Sequence, residues 1–426
     1  MFENIILMVP FGDFSPENIL IWLVLFGSLS VLYMLFMPQL MGLQSKLAIR
    51  GAKKSLEKLE NWSDDSKRIA LNKITEYGRT RRDVKGDLED FLEFFAIQPV
   101  SEDPAGVLDR LEHLLDVRKK RYEDAVKRLA PEADSEEAAD IEMAIEGALA
   151  NYSLYKIVRH FVKVAEKTQS MQIAQLLQMQ MPMLEKMADA YHQATKAFAD
   201  RKVIGDGAGP MVAAKLIEDA ESEEEIKDTV FAETEIEGRK AYIIKAKGPG
   251  GRVGKPGELI RELSKNRELD RIFMIDAGLK LEGEDSGKIV EGVGAAIGGP
   301  PTEKHKIEEM ATEKDIPVDA IVIKESLKEA ITPMNDNLAN ATDKAVEKVK
   351  EAVKARTEED DVIIIAGIGN TIGVGQDPTS MPKKFPKVKK DEEELESFIP
   401  LPGMGGLSGP EASSKQDGRL NNHKYY

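Results

Sequence analysis

The run VIIIAGIGNT, residues 362–371, is a stretch of apolar, mostly β-branched residues followed by a glycine-spaced loop. An unbroken apolar run of this length, bounded by glycine, reads as a strand buried on both faces. Four other runs read as strands, at 229–236, 241–246, 271–276 and 318–324. Amphipathic stretches at 211–220, 257–265, 303–313 and 341–354 read as helices between and around them. Strand–helix alternation of this kind predicts a three-layer α/β domain with a mostly parallel sheet, spanning residues 202–376.

Loops at the carboxyl ends of parallel strands converge on one crevice, where ligands bind. Four glycine-marked loops occupy such places. The first holds Asp206, Gly207 and Gly209 and leads into a helix. The second holds Gly250 and Gly251. The third begins at Asp276 after RIFMI, and the fourth holds Gly367, Gly369 and Asn370. Glycine lets backbone N–H groups come close to a ligand. The fourth loop also has dinucleotide-like spacing, but Asp377-Pro378 follows it where a helix would be needed to hold a pyrophosphate. The glycine run 292–299 has no strong strand before it, so nucleotide binding is the weaker reading.

Upstream of this domain the texture is helical. From residue 42 to 201 apolar residues recur at three- and four-residue spacing, as in Val107, Leu111, Leu114 and Leu115. Breaks are expected at Asn61-Trp62-Ser63, Gln98-Pro99, Pro104 and Pro131, giving four to six helices in a bundle or hairpin. The segment 171–192 sets Met171, Met179, Met181, Met183 and Met187 among glutamines. It reads as bundle core, with an adaptable partner surface as the alternative, and Pro182 is expected to kink or end its helix. His113, His160 and His192 have no spaced partner and read as structural residues.

Farther upstream, residues 18–37 carry no charge. A helix of 20 residues is about 30 Å long, the thickness of a bilayer's hydrocarbon core. Acids alone precede it, while Lys46, Arg50, Lys53 and Lys54 follow, and no small-residue cleavage site is present. These features predict an uncleaved single span in the cell membrane, with residues 1–17 outside and the bulk cytoplasmic. Residues 377–426 are rich in proline, lysine and glutamate and then in glycine and serine, and read as a disordered tail. The whole is therefore expected to be an α+α/β protein: a single N-terminal transmembrane helix, a helical bundle or hairpin domain, and the α/β domain.

Composition removes whole classes of chemistry. The net charge of −16 argues against a nucleic-acid surface. The absence of cysteine excludes disulfides, thiolate metal sites and cysteine nucleophiles. With five histidines in 426 residues, a metal site must lean on carboxylates. Asp206, Asp276 and His305 are the polar residues in the loops and helix starts of the α/β domain with the donor types for one divalent cation. Taken singly, each is better read as structural: Asp206 as a helix cap, Asp276 as a lysine partner and His305 as a solvated helix residue.

The motifs DGAGP, KGPGGRVGKPGE, MIDAGLKLEGEDSG and AGIGNTIGVGQ make the chain resemble an archaeal, membrane-anchored family of unknown function. The α/β part also resembles the hydrogenase maturation endopeptidases in segments taken out of order. DGAGPMVAAKL is similar to their helix start, RIFMIDAG to their Asp-Ala strand, and EKHKIEEMATEKDIPVDAIVIKES to their histidine helix and its strand. Their opening strand and GxGN loop correspond to VIIIAGIGNT, which here comes last, as a circular permutation would leave it. The resemblance implies a nickel- or zinc-like metal on Asp206, Asp276 and His305, and a peptidase acting on a protein substrate. In that reading Gly207, Gly209, Gly367 and Gly369 admit backbone N–H groups to an oxyanion, and Asn370 orients substrate. A non-catalytic membrane adaptor that binds a protein partner is the alternative expectation.

Overall fold

The computed structural model describes residues 16–78, 80–94, 106–218, 220–281, 283–299 and 301–387. The chain divides into two compact units, one made of residues 1–63 and 151–189, the other of 64–150 and 190–426.

The first unit draws on three helices, α1 (Pro16–Thr75), α4 (Ser135–Thr168) and α5 (Met171–Ala199). Its buried residues recur every three or four positions: Leu154, Val158, Val162 and Ala165 on α4, and Ala174, Leu177, Met181, Leu184 and Ala188 on α5. Lys58 pairs with Glu185 at 2.7 Å, and the Tyr155 hydroxyl donates to Glu60 at 2.6 Å. At the other end of α1, Leu23, Phe26, Leu32 and Met34 are exposed, and the helix is long and apolar enough to cross a membrane. Residues 1–15 lie outside the described residues.

In the second unit a seven-stranded sheet runs in the order β1-β2-β3-β7-β4-β6-β5. The strands are β1 (Ser222–Ile226), β2 (Thr229–Ile236), β3 (Arg239–Ala246), β4 (Arg271–Leu279), β5 (Ile289–Val293), β6 (Val318–Glu325) and β7 (Val362–Gly367). Strands β3, β7, β4 and β6 are mutually parallel. One face is covered by α6 (Ala208–Ile217) and α10 (Asp336–Arg356), whose Met211, Leu216, Leu338 and Val349 share a core with Phe273, Ile275, Ile363 and Ile365. The other face carries α7 (Pro256–Asn266) and α8 (Pro301–Glu313), with Leu259, Leu263, Ile307 and Met310 on Ile272, Met274 and Ile364. The last strand, β7, thus lies at the centre, buried on both faces as its unbroken apolar run requires.

Three expectations are corrected. The sheet is mixed, because β1, β2 and β5 pair antiparallel at its two edges. The β2–β3 connection is a two-residue turn, Glu237-Gly238, with φ of 52° and 77°, and a link that short joins only antiparallel strands. β1 escapes notice because Ser222–Ile226 is mostly glutamate. Asn61-Trp62-Ser63 breaks nothing: α1 runs through it, since no glycine or proline interrupts the strong helix formers around it. Pro182 lies within α5 on an exposed position, where water can satisfy the carbonyl that loses its partner. Gln98-Pro99 and Pro104 lie outside the described residues, and α3 (Val107–Leu129) ends just before Pro131.

The short helix α2 (Arg81–Phe91) and α3 belong to the second unit, as does α9 (Leu327–Ile331). Of the expected tail, residues 377–387 are built onto the domain. Asp377 caps a turn at Pro378–Ser380, Met381 and Phe385 pack on the α6/α10 core, and the Pro386 carbonyl accepts from Asp336 N–H at 2.9 Å. Residues 388–426 lie outside the described residues.

Close packing of α6 on the sheet makes a sharp prediction. A Cβ at Gly209 would collide with the carbonyls of Ile368 and Ile275, whereas a Cβ at Gly51 on α1 meets nothing within 4 Å. Gly209→Ala should cost about 3 kcal/mol, since backbone cannot yield, and Gly51→Ala should add roughly 0.5–1 kcal/mol. Thermal melts of the two full-length variants, followed by circular dichroism, should shift in opposite directions.

Candidate functional site

Four elements meet at the carboxyl edge of the parallel strands. Gly209 lets the start of α6 lie directly on the ends of β4 and β7. Ile368 N–H donates to Ile275 O at 2.8 Å and ties the loop after β7 to β4. Gly369, at φ 133°, brings that loop against the carbonyl of Asp206. Asp206 sits in the 3₁₀ turn Gly205–Gly207, and its Oδ2 accepts from Asn370 N–H at 2.8 Å. Asp276 ends the buried part of β4. Its Oδ1 accepts from Ala277 N–H and its Oδ2 from Gly298 N–H, both at 2.8 Å.

A third carboxylate joins them. Glu325, at the end of β6, is 2% exposed, and its Oε2 has no hydrogen-bond partner. A Cβ at Gly205 would run into that oxygen, so Glu325 lies against the backbone of the Asp206 turn. Glu329 stands just beyond. It accepts from the Ser286 hydroxyl at 2.6 Å, from Ser326 N–H at 2.9 Å and from Asn335 Nδ2 at 2.9 Å.

Burial and mutual repulsion separate the proton affinities of these groups. Burial pushes Asp206 up, against the hydrogen bond from Asn370. Asp276 is pushed well above the carboxylate range by burial and then by the charge of Asp206. Glu325 is pushed well up by burial and then by Asp206, Glu329 and Asp276. Glu329 goes the other way: burial opposes its ionisation, but the Ser286, Ser326 and Asn335 hydrogen bonds outweigh it. Among the described residues, no positive group acts on Asp206, Asp276 or Glu325.

The other expected site residues fall differently. His305 is exposed on α8 and is not among the groups acting on the three carboxylates. Asn370 spends its side chain locally, donating to Met143 Sδ at 3.5 Å and accepting from Ile372 N–H at 2.9 Å. Gly207 and Gly367 pack against Asn370 O and the Gly209 carbonyl. Gly250 and Gly251 lie against α4, and Gly250 O accepts from Thr371 Oγ1 at 2.9 Å. His192 is structural, with Nε2 2.7 Å from Asp65 Oδ2. Glu325 had one sequence signal, an acid closing the apolar run AIVIKE, but nothing local points it at Asp206.

The described residues bring three carboxylates within 4.8 Å of one another at Glu112, Glu258 and Glu303, not at Asp206, Asp276 and Glu325. That trio already holds a cation. Lys306 Nζ lies 2.6 Å from Glu112, 2.8 Å from Glu303 and 3.7 Å from Glu258. A nickel or zinc ion on Asp206, Asp276 and His305 does not fit, since the histidine is turned to solvent and such ions favour nitrogen or sulfur donors.

Residues 24–201 match the family described as protein of unknown function (DUF1512), N-terminal domain, and residues 204–375 match the DUF1512 C-terminal domain. No curated protein and no solved structure matches the chain.

The raised carboxyls set the pH dependence of stability. From the ordinary carboxylate range up to their raised values, the folded protein holds protons that the unfolded chain has released, so stability falls as pH rises through that window. Glu325→Gln should flatten the slope, by about 1.4 kcal/mol for each unit by which folding raises the pKa. Lys245, fully buried and pushed down to about 7 by burial, contributes the opposite slope above that pH. It is common to both proteins, so the difference between their denaturant midpoints from pH 4 to 8 isolates Glu325.

Proposed function

We propose that this chain, which carries both domains of the DUF1512 family, is a membrane-tethered hydrolase that works by acid–base catalysis at Asp206, Asp276 and Glu325. The observation that carries the reading is that Glu325 Oε2 lies buried without a hydrogen-bond partner against the Gly205 backbone of the Asp206 turn, at the end of the strands where Asp276 also stands, and that no positive group among the described residues acts on the three. Surface carboxylates are solvated, and buried ones are usually paired with a cation. Buried carboxyls pushed toward the protonated form, beside one member more open to solvent, resemble the way enzymes divide acid and base roles among carboxyls.

In this reading Asp206, half-buried and the least raised of the three, takes the proton of an attacking water. Asp276, whose carboxyl burial and the charge of Asp206 push well up toward the protonated form, donates to the carbonyl oxygen as the water oxygen bonds to carbon. The carbon–nitrogen bond of an amide then breaks, the proton held by Asp206 goes to the departing amine, and the hydroxyl formed from the carbonyl oxygen returns its proton to Asp276 as the product carbonyl re-forms. Glu325, pushed well up by burial and then by the charge of Asp206, favours its protonated form and so limits negative charge beside Asp206. No step requires a metal. A polypeptide substrate is the choice favoured by the likeness to maturation endopeptidases, whose GxGN-type loop and acidic helix start have their counterparts in Asn370 and Asp206.

The anchor is the second part of the proposal: residues 18–37 cross the cell membrane once and leave the rest in the cytoplasm. The adaptor alternative is favoured by a groove of 570 Å³ in the first unit, lined by Leu47, Ala48, Gly51, Met171 and Met181 among glutamines.

Two experiments test the reading. Incubation of the detergent-solubilised full chain with a mixture of unfolded polypeptides should create new termini detectable by mass spectrometry. Asp276→Asn and Asp206→Asn should each slow that cleavage by about a hundredfold or more. Cleavage indifferent to both substitutions would reject the assignment. Alkaline extraction of membranes should leave the full chain in the pellet and release a chain lacking residues 1–41.

A further inference from the structure

We propose that the open edge of β5 takes an extended segment of another polypeptide as an added strand and so holds the chain beyond that segment for the carboxylate crevice. What the crevice does to this chain rests on the function proposed above; the docking itself does not.

The ladder fixes which backbone groups are open. Gly294 N–H donates to Val318 O at 2.8 Å, and Lys288 O accepts from Lys324 N–H at 2.8 Å. Alternate residues of an antiparallel strand turn both backbone groups to the same neighbour. Val290 and Gly292 therefore face β6, and Ile289, Glu291 and Val293 turn N–H and C=O away from the sheet. β5 ends the strand order, and among the described residues no backbone group answers those three. A row of donors and acceptors at strand spacing is matched by another extended backbone.

The two edges of the sheet are guarded differently. β1 carries Glu223, Glu224 and Glu225, and its register is irregular between Glu224 and Ile226. Charges and irregularities of that kind discourage pairing. β5 holds neither lysine nor proline. Its one acid, Glu291, is drawn aside to α10, where it pairs with Lys348 at 2.8 Å and with Arg356. Val293, 88% exposed, offers an apolar neighbour to a β-branched or aromatic residue on an incoming strand. A second copy of β5 in full overlap is a poor occupant. It would set Glu291 opposite Glu291 and bring two sets of Lys348 and Arg356 to one seam, and like charges placed so repel.

The open edge also leads to the crevice. Ile289, at the start of β5, stands opposite Ile323, and Gly287 N–H donates to Lys324 O at 2.7 Å, next to Glu325. Just ahead of them the Ser286 hydroxyl donates to Glu329, whose charge acts on Glu325. Neighbouring strands lie about 4.8 Å apart, so a strand added to β5 stands roughly 10 Å from β6 and about 15 Å from β4. About five extended residues span the larger gap. The bond presented to Asp206 and Asp276 is therefore about five residues from the docked segment, and the substrate class is a chain with a β-prone stretch at that distance.

Amide hydrogen exchange on the full chain in detergent tests the docking, with a peptide of alternating threonine and valine, ended by lysines, as the probe. Saturating peptide should slow exchange at Glu291 and Val293 by about tenfold or more. Val293→Pro removes an outward donor and no bond to β6, a change that sheet edges tolerate. It should weaken peptide binding about tenfold and leave the melting temperature unchanged. Val293→Lys, a guard of the kind other edges carry, should do the same. The peptide N-methylated at alternate residues should bind the parent about tenfold more weakly. Protection only at other residues, or binding indifferent to all three changes, would overturn the proposal. So would protection of β5 that arises without peptide and grows with protein concentration, the mark of a seam between two copies. Protection at the edge with no cleavage sensitive to Asp276→Asn keeps the docking and rejects the catalytic reading. Cleavage abolished by Asp276→Asn but unchanged by Val293→Pro rejects the docking and keeps the catalysis.

Discussion

The close seating of α6 on the ends of β4 and β7 is the contact on which the second unit depends. It works because no side chain stands between them. Gly209 and Gly367 let a helix backbone rest directly on two strand ends, and Gly369 turns the following loop back under Asp206. Everything at the crevice inherits that closeness. Asn370 N–H can reach Asp206, and Glu325 can reach the Gly205 backbone, only because α6 begins there. The order of strands follows as well. With β7 between β3 and β4, the last of the described strands supplies the loop that grips the first loop of the domain.

Two acidic clusters in one molecule show how environment divides chemistry. Around Lys306 three glutamates are neutralised by an ammonium group, and burial that would discharge the lysine is outweighed by its hydrogen bonds to Glu112 and Glu303. Such a cluster joins α3, α7 and α8 and is finished as an interaction. At the strand ends, burial pushes the carboxyls of Asp206, Asp276 and Glu325 up instead, and the charge of Asp206 adds to the rise of the other two. Neutralisation by protons varies with pH, whereas the Lys306 arrangement is held by direct ion pairs.

Much of the fold was legible because its signals are local. The runs at 229–236 and 362–366, and the helices near 257–265 and 303–313, owe their state to periodicity and to flanking glycine and proline. The apolar stretch at 18–37 owes its helix to length and composition. Asp206, before a helix start, and Asp276, at the end of an apolar run, were legible as carboxylates at element ends for the same reason. β1 was hidden because its strand state comes from pairing with β2 rather than from its own glutamates. His305 misled because a histidine at a helix start has the same sequence signature whether it faces a cleft or water.

The amino-acid order alone determined that an uncharged helix precedes a helical region and an α/β domain, since hydrophobic period and breaker residues act over a few positions. It also determined which residue types could do chemistry. Only the tertiary structure decided which of them meet. Glu325 and Asp206 are far apart along the chain, and their repulsion exists only because two strand ends and one glycine turn occupy the same few ångströms of space.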